Sequence, residues 1–142
     1  MVTRVSPPEP RDERLLLADA ETALRHGLVV AAGVMTRAAL EGHLRKLYLV
    51  YVRIEIPKRY GIKEMAGQLC HRRVIDKPTQ KGLKWAARIG NRCAHNAAVG
   101  SFEIFEMVDT VNAFLASHPA LEPNSGWTKW VEGNEEPEGG AV

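Results

Sequence analysis

The residues best equipped for chemistry stand close together late in the chain, in Arg88-Ile-Gly-Asn-Arg-Cys-Ala-His95. At about 100° per residue, a helix through this stretch places Arg88, Asn91 and His95 within roughly 60° of one another. One arc would then carry a cation, an amide and an imidazole, while Leu83, Ala87, Gly90 and Ala94 form a neighbouring arc suited to packing. Histidine titrates near neutrality and can give or take a proton. Arginine presents a planar fork of donors that matches phosphate oxygens. Together they could move a proton and offset negative charge on a phosphate-bearing partner. On this reading His95 transfers a proton, Arg88 holds phosphate, and Asn91, one turn before His95, fixes the imidazole or binds the sugar. Arg92 is an alternative phosphate contact, about 60° from His95 around the helix. Arg88 and His95 differ by about 10 Å along the axis, so a second copy across a two-fold would complete a composite cleft. A structural reading uses the same residues. There His95 favours the negative end of its helix, Asn91 bonds a loop carbonyl, and Arg88 pairs with Glu41 or an acid of the last helix. Contact with a protein partner is a third reading.

The elements that must hold these residues read as helices. Pro7, Pro8 and Pro10 make residues 1–10 an extended arm that ends in a helix start. A first helix runs from about Arg11 to His26, with Leu16, Ala20, Ala23 and Leu24 as its stripe and Gly27 as its stop. The second, about Leu28 to Arg53, is the central one, with Val30, Gly33, Val34, Leu40, Leu44, Leu47, Tyr48 and Tyr51 on one broad face. Arg37 and Glu41 fall in the middle of that face. Four apart, they can pair, and within an apolar stripe they need to. Such a pair either fixes the helix register or completes a site on a facing helix. Arg45 and Lys46 point away, into solvent. Pro57 and Gly61 break the helix. A short third helix, about Lys63 to His71, buries Met65, Ala66 and Leu69.

Asp76 suits the cap of a fourth helix, about Thr79 to His95. Gly90 within it implies a close approach or a local bend, and Cys93 falls on its apolar side. Ser101 reads as the cap of a fifth helix, with Glu103 in its first turn. Ile104, Phe105, Val108, Val111 and Leu115 form its stripe, and Pro119 ends it. The expectation is an all-α, four- to five-helix up-and-down bundle over residues 11–118. Residues 119–142 then form an acidic, poorly ordered tail in which Trp127 and Trp130 can meet a partner or the domain itself. His26, His43, His71 and His118 lack a comparable constellation and read as surface or loop histidines.

At 142 residues, 45% hydrophobic and 25% charged, the chain fits one globular domain. Its net charge of +2 conceals an asymmetry. Residues 1–119 carry 18 Lys/Arg and 12 Asp/Glu, whereas residues 120–142 carry 1 and 5. Between Arg53 and Arg92 there are 11 basic residues against 3 acidic ones, a balance that attracts an anionic partner such as RNA or a nucleotide, or is simply a solvated face. The two cysteines form no CxxC pair or zinc spacing. The sequence thus calls for no metal and no cofactor. Arg37, Glu41, His43, Arg45 and Lys46 interrupt the one long apolar stretch, which argues against a membrane span. The amino-terminal residues, rich in proline and charge, do not read as a secretory signal, and a cytoplasmic protein is the expectation. No Walker loop, GxGxxG, HExxH or GxSxG motif occurs.

Two segments together carry a resemblance. Gly90-Asn91-Arg92-Cys93-Ala94-His95, with Arg88 before it, and Arg37-Ala-Ala-Leu40-Glu41 on an earlier helix resemble the HEPN superfamily. The nearer likeness is to its bacterial branch of domains of unknown function, which carries Gly-Asn-x-x-Ala-His after Arg-x-x-Leu-Glu. The likeness spans about residues 15–116 in helix order and spacing. It implies a helical bundle that often dimerises, with facing motifs at the interface. Many members are metal-independent ribonucleases of toxin–antitoxin or antiphage defence systems, and others are non-catalytic binding or scaffold domains. By analogy Arg88, Asn91 and His95 match the family arginine, polar residue and histidine, with Arg37 and Glu41 supporting them. In the commoner family register, Gly90 stands where the arginine belongs, and Arg88 gives the longer spacing.

Overall fold

A computed structural model of the chain describes residues 12–95 and 98–120. They form five helices: α1 (Glu13–Arg25), α2 (Val29–Tyr51), α3 (Ile62–His71), α4 (Lys77–Ala94) and α5 (Ser101–Ser117). No strand occurs among the described residues. The expected arm and the tail with Trp127 and Trp130 lie outside them.

Cap chemistry sets the helix boundaries. Asp12 opens α1 by accepting from Arg14 N at 2.9 Å, and Asp76 opens α4 by accepting from Thr79 N at 2.9 Å, with Pro78 in the first turn. Just past the end of α1, Gly27 takes a φ of 79° that suits glycine, and Leu28 N reaches back to Ala23 O at 2.8 Å. α5 departs from expectation at its start. Gly100, not Ser101, is its cap, and Glu103 compensates by accepting from Gly100 N at 3.2 Å.

α2 packs against each of the other four helices, so it is the central element. Its buried face consists of Ala32, Gly33, Thr36, Ala39, Leu40, His43, Leu44, Leu47 and Tyr48. That face is rotated from the expected one, because the closest approaches take the smallest side chains. The Thr36 hydroxyl is satisfied there by Ala32 O at 2.7 Å. Val30, Val34 and Tyr51 are exposed instead of buried. Arg37 and Glu41 sit on the rim of the buried face, not in its middle, with side chains 34% and 29% exposed. On α5, Phe105 is likewise exposed at 60%, and Met107 and Phe114 take its place in the core beside Ile104, Val108, Val111 and Leu115.

Two further expectations are corrected. Lys46 does not point freely into solvent. Its Nζ lies 2.8 Å from Oε1 of Glu13 and ties α2 to the first turn of α1. His43 is buried, not a surface residue. Its Nε2 lies 2.6 Å from the carbonyl oxygen of His118, and its ring meets Phe114 edge-on. The bond ties the middle of α2 to the end of α5. Burial outweighs the stabilising carbonyl and the Glu13 charge, so it holds the imidazole below its ordinary pKa.

Candidate functional site

α4 shows how one helix divides its labour. Leu83, Ala86, Ile89, Gly90 and Cys93 are buried in the core, while Arg88, Asn91, Arg92 and His95 are exposed. His95 is the C-terminal cap residue, with its backbone N–H bonded to Asn91 O at 3.0 Å. The helical arc expected from spacing is therefore present: a guanidinium, an amide and an imidazole share one solvent-facing side. Among the described residues, no side-chain hydrogen bond or ion pair engages Arg88, Asn91 or His95. Arg88 is thus not paired with Glu41 or an acid of α5.

Arg92 has a different place. Its Nη1 lies 3.1 Å from Oε2 of Glu103, and its Nη2 donates to Ala98 O at 2.6 Å. It braces the connection from α4 to α5, and its charge is offset by the carboxylate. Glu103 accepts from Gly100 N as well as from Arg92, and these bonds hold its carboxyl below the usual range. Cys93 is nearly fully buried, and burial pushes its thiol up, away from the thiolate that a nucleophile needs.

Arg37 approaches α4 by its aliphatic stem. A Cβ built on Gly90 would lie 2.7 Å from Arg37 Cδ, 2.8 Å from Cβ and 3.0 Å from Cγ. The absent side chain at position 90 is thus the notch that receives Arg37. The close approach expected at this glycine exists, and a side chain makes it. A second notch lies along the same crossing, where a Cβ on Gly33 would collide with Cys93 Sγ. Position 33 faces 93 and position 37 faces 90, so α2 and α4 run antiparallel here. The guanidinium of Arg37 is only loosely held: Nη1 is 3.7 Å from Oε1 of Glu41. Among the described residues its buried Nε has no hydrogen-bond partner, a donor that ordinarily demands one.

Glu41 has a closer partner in Arg45, whose Nη2 lies 3.1 Å from Oε2. Arg45 was expected to be merely solvated. Sequence reasoning missed this competition, although the i, i+4 spacing on both sides of Glu41 was the signal for it. The structure brings Arg37 onto α4 at Gly90. It forms no hydrogen bond or ion pair between the Arg37–Glu41 pair and Arg88, Asn91 or His95. Among the described residues, no group of three or more His, Cys, Asp and Glu side chains is placed to hold a metal ion. No described helix is long and apolar enough to cross a membrane.

In comparisons with protein-family models, curated proteins and solved structures, nothing matches this chain.

Proposed function

We propose that this chain is a HEPN-like, up-and-down helical bundle that acts as a metal-independent endoribonuclease of a defence or toxin–antitoxin system, working as a homodimer. The observation that carries the reading is the availability of Arg88, Asn91 and His95, exposed on one side of α4 and, among the described residues, engaged by no other side chain. A second feature supports it. The notch at Gly90 holds Arg37, so a guanidinium comes from α2 beside the position where the commoner family pattern carries its arginine.

The reaction takes its nucleophile from the RNA. The 2′-hydroxyl loses its proton and attacks the neighbouring phosphorus, and the bond to the 5′-oxygen breaks. The fragments end in a 2′,3′-cyclic phosphate and a 5′-hydroxyl. His95 removes or returns the proton, Arg88 and Arg37 offset charge on the phosphate oxygens, and Asn91 orients the sugar or the imidazole. The second copy supplies the opposite proton-transfer group and encloses the otherwise open face.

The test is incubation of the protein with mixed RNA in EDTA. His95→Ala is expected to lower cleavage by about 10²–10⁴-fold, the usual contribution of a general acid or base. Its fold should be unchanged because the side chain is exposed. Cleavage that persists in both His95→Ala and Arg88→Ala removes this site from the reaction.

A non-catalytic interaction module is the second reading, favoured by one observation. Phe102 and Phe105 stand 70% and 60% exposed on α5, and Val30 and Val34 are exposed on α2. Such surface suits a protein partner.

A further inference from the structure

The exposed side of α4 carries more than the three residues of the candidate site. Lys77, Lys81, Lys84 and Arg88 follow one another at steps of four, three and four residues and lead to His95. At about 100° per residue they stay within roughly 60° of a single line along the helix, the line on which His95 also falls. Lys77, Lys81 and Arg88 are exposed and Lys84 is half-exposed. Among the described residues, none of the four has a carboxylate partner. α4 itself contains no acidic residue, whereas α5 carries Glu103, Glu106 and Asp109 and no basic one. The cations are therefore unbalanced locally and aligned.

We infer that the Lys77–Arg88 line is a track for successive phosphates of a single-stranded RNA, which it leads to His95. The inference rests on the proposed ribonuclease site for its choice of RNA. The steps along the track are about 4.5 and 6 Å of helix axis, the order of the separation between neighbouring phosphates on a strand. A row of point charges without interleaved carboxylates neutralises a phosphodiester backbone and releases its counterions. A membrane surface fits poorly, because the apolar side of α4 is buried in the core and cannot enter lipid.

The test uses a 2′-O-methyl RNA strand long enough to span α4, which binds without being cleaved. With four phosphates engaged, log K against log salt concentration should fall with a slope of about −2.8. Lys81→Gln with Lys84→Gln should reduce that slope by about 1.4. Arg14→Gln with Arg25→Gln, on α1, should leave it unchanged. A slope unaffected by the α4 pair overturns the track. The track and the ribonuclease reading fail separately. Binding with the expected slope, but no cleavage of unmodified RNA, keeps the track and removes the catalytic reading. Cleavage that is as efficient on a dinucleotide as on a long strand keeps catalysis and overturns the track.

Discussion

Replacing Gly90 by alanine tests the one contact through which α2 reaches the candidate site. Two effects oppose each other. Alanine is the better helix former by about 1 kcal/mol. Its Cβ, however, would stand 2.7 and 2.8 Å from Cδ and Cβ of Arg37. Cβ of Arg37 is fixed to the backbone of α2, so turning the side chain cannot relieve that contact, and the helices must part. Overpacking of this kind costs about 1–3 kcal/mol, which leaves a net loss of up to about 2 kcal/mol once the helix gain is subtracted. Urea unfolding measures it. For a small two-state domain with a slope near 1.5 kcal/mol/M, a loss of about 1.5 kcal/mol moves the midpoint down by roughly 1 M. The decisive measurement is a double-mutant cycle with Arg37→Ala. That change removes Cγ and Cδ but keeps Cβ, so Gly90→Ala should be less damaging in its presence, with a coupling of about 1 kcal/mol. If the two changes add to within about 0.5 kcal/mol, the stem of Arg37 beyond Cβ does not occupy the notch and the link from α2 to the site is lost.

Gly33→Ala should destabilise by about 1–3 kcal/mol, because its Cβ would collide with Cys93 Sγ and meet Ile104 Cδ1 at 3.1 Å. Cys93→Ala should recover part of that loss in the same unfolding assay, and no recovery would count against the crossing. His43 predicts the acid side of the stability profile. Burial holds its folded pKa below the ordinary 6.5, so the unfolded chain binds the proton first and stability rises with pH in this window. The contribution is present above 6.5 and is lost as pH falls from there through the folded value. His43→Gln should flatten the unfolding free energy over that interval, and an unchanged slope would show that another group sets it.

Most helix boundaries were legible because their signals are local, the start of α5 at Gly100 being an exception. Gly27, Asp76 and Pro119 act through the backbone of their own neighbourhood, whatever the helix packs against. The faces of α2 and α5 were less legible because burial depends on neighbours. Valines at 30 and 34 weigh heavily in an apolar stripe, yet the crossings of a helix with four neighbours fill with Ala32, Gly33, Thr36 and Ala39. Phe105 lost its core place to Met107 and Phe114 for the same reason. The shared arc of Arg88, Asn91 and His95 followed from helical period alone. Their freedom from partners did not, because it depends on where the acids of α2 and α5 point. Glu103 goes to Arg92, and Glu41 divides between Arg37 and Arg45. His43 was misplaced because one backbone carbonyl, 75 residues away, satisfies its ring.

The two glycines of the α2–α4 crossing act as one device. Gly33 on α2 receives Cys93 from α4, and Gly90 on α4 receives Arg37 from α2. Each helix supplies one notch and one side chain, four residues apart on α2 and three apart on α4. That spacing matches neighbouring turns of two antiparallel helices, so sliding one helix by a turn would empty both notches and drive side chains into backbone. The crossing therefore has a single favoured register. Its consequence lies at the surface. The register fixes Arg37 beside the Gly90–Asn91 segment, little more than one helical turn from His95, with no hydrogen bond among the described residues to place it. A guanidinium positioned by its stem keeps its donors uncommitted. The unpartnered Nε and the long 3.7 Å approach to Glu41 are what that arrangement leaves behind. Packing places the cation, and among the described residues, beyond its buried Nε, only the 3.7 Å approach to Glu41 holds the guanidinium.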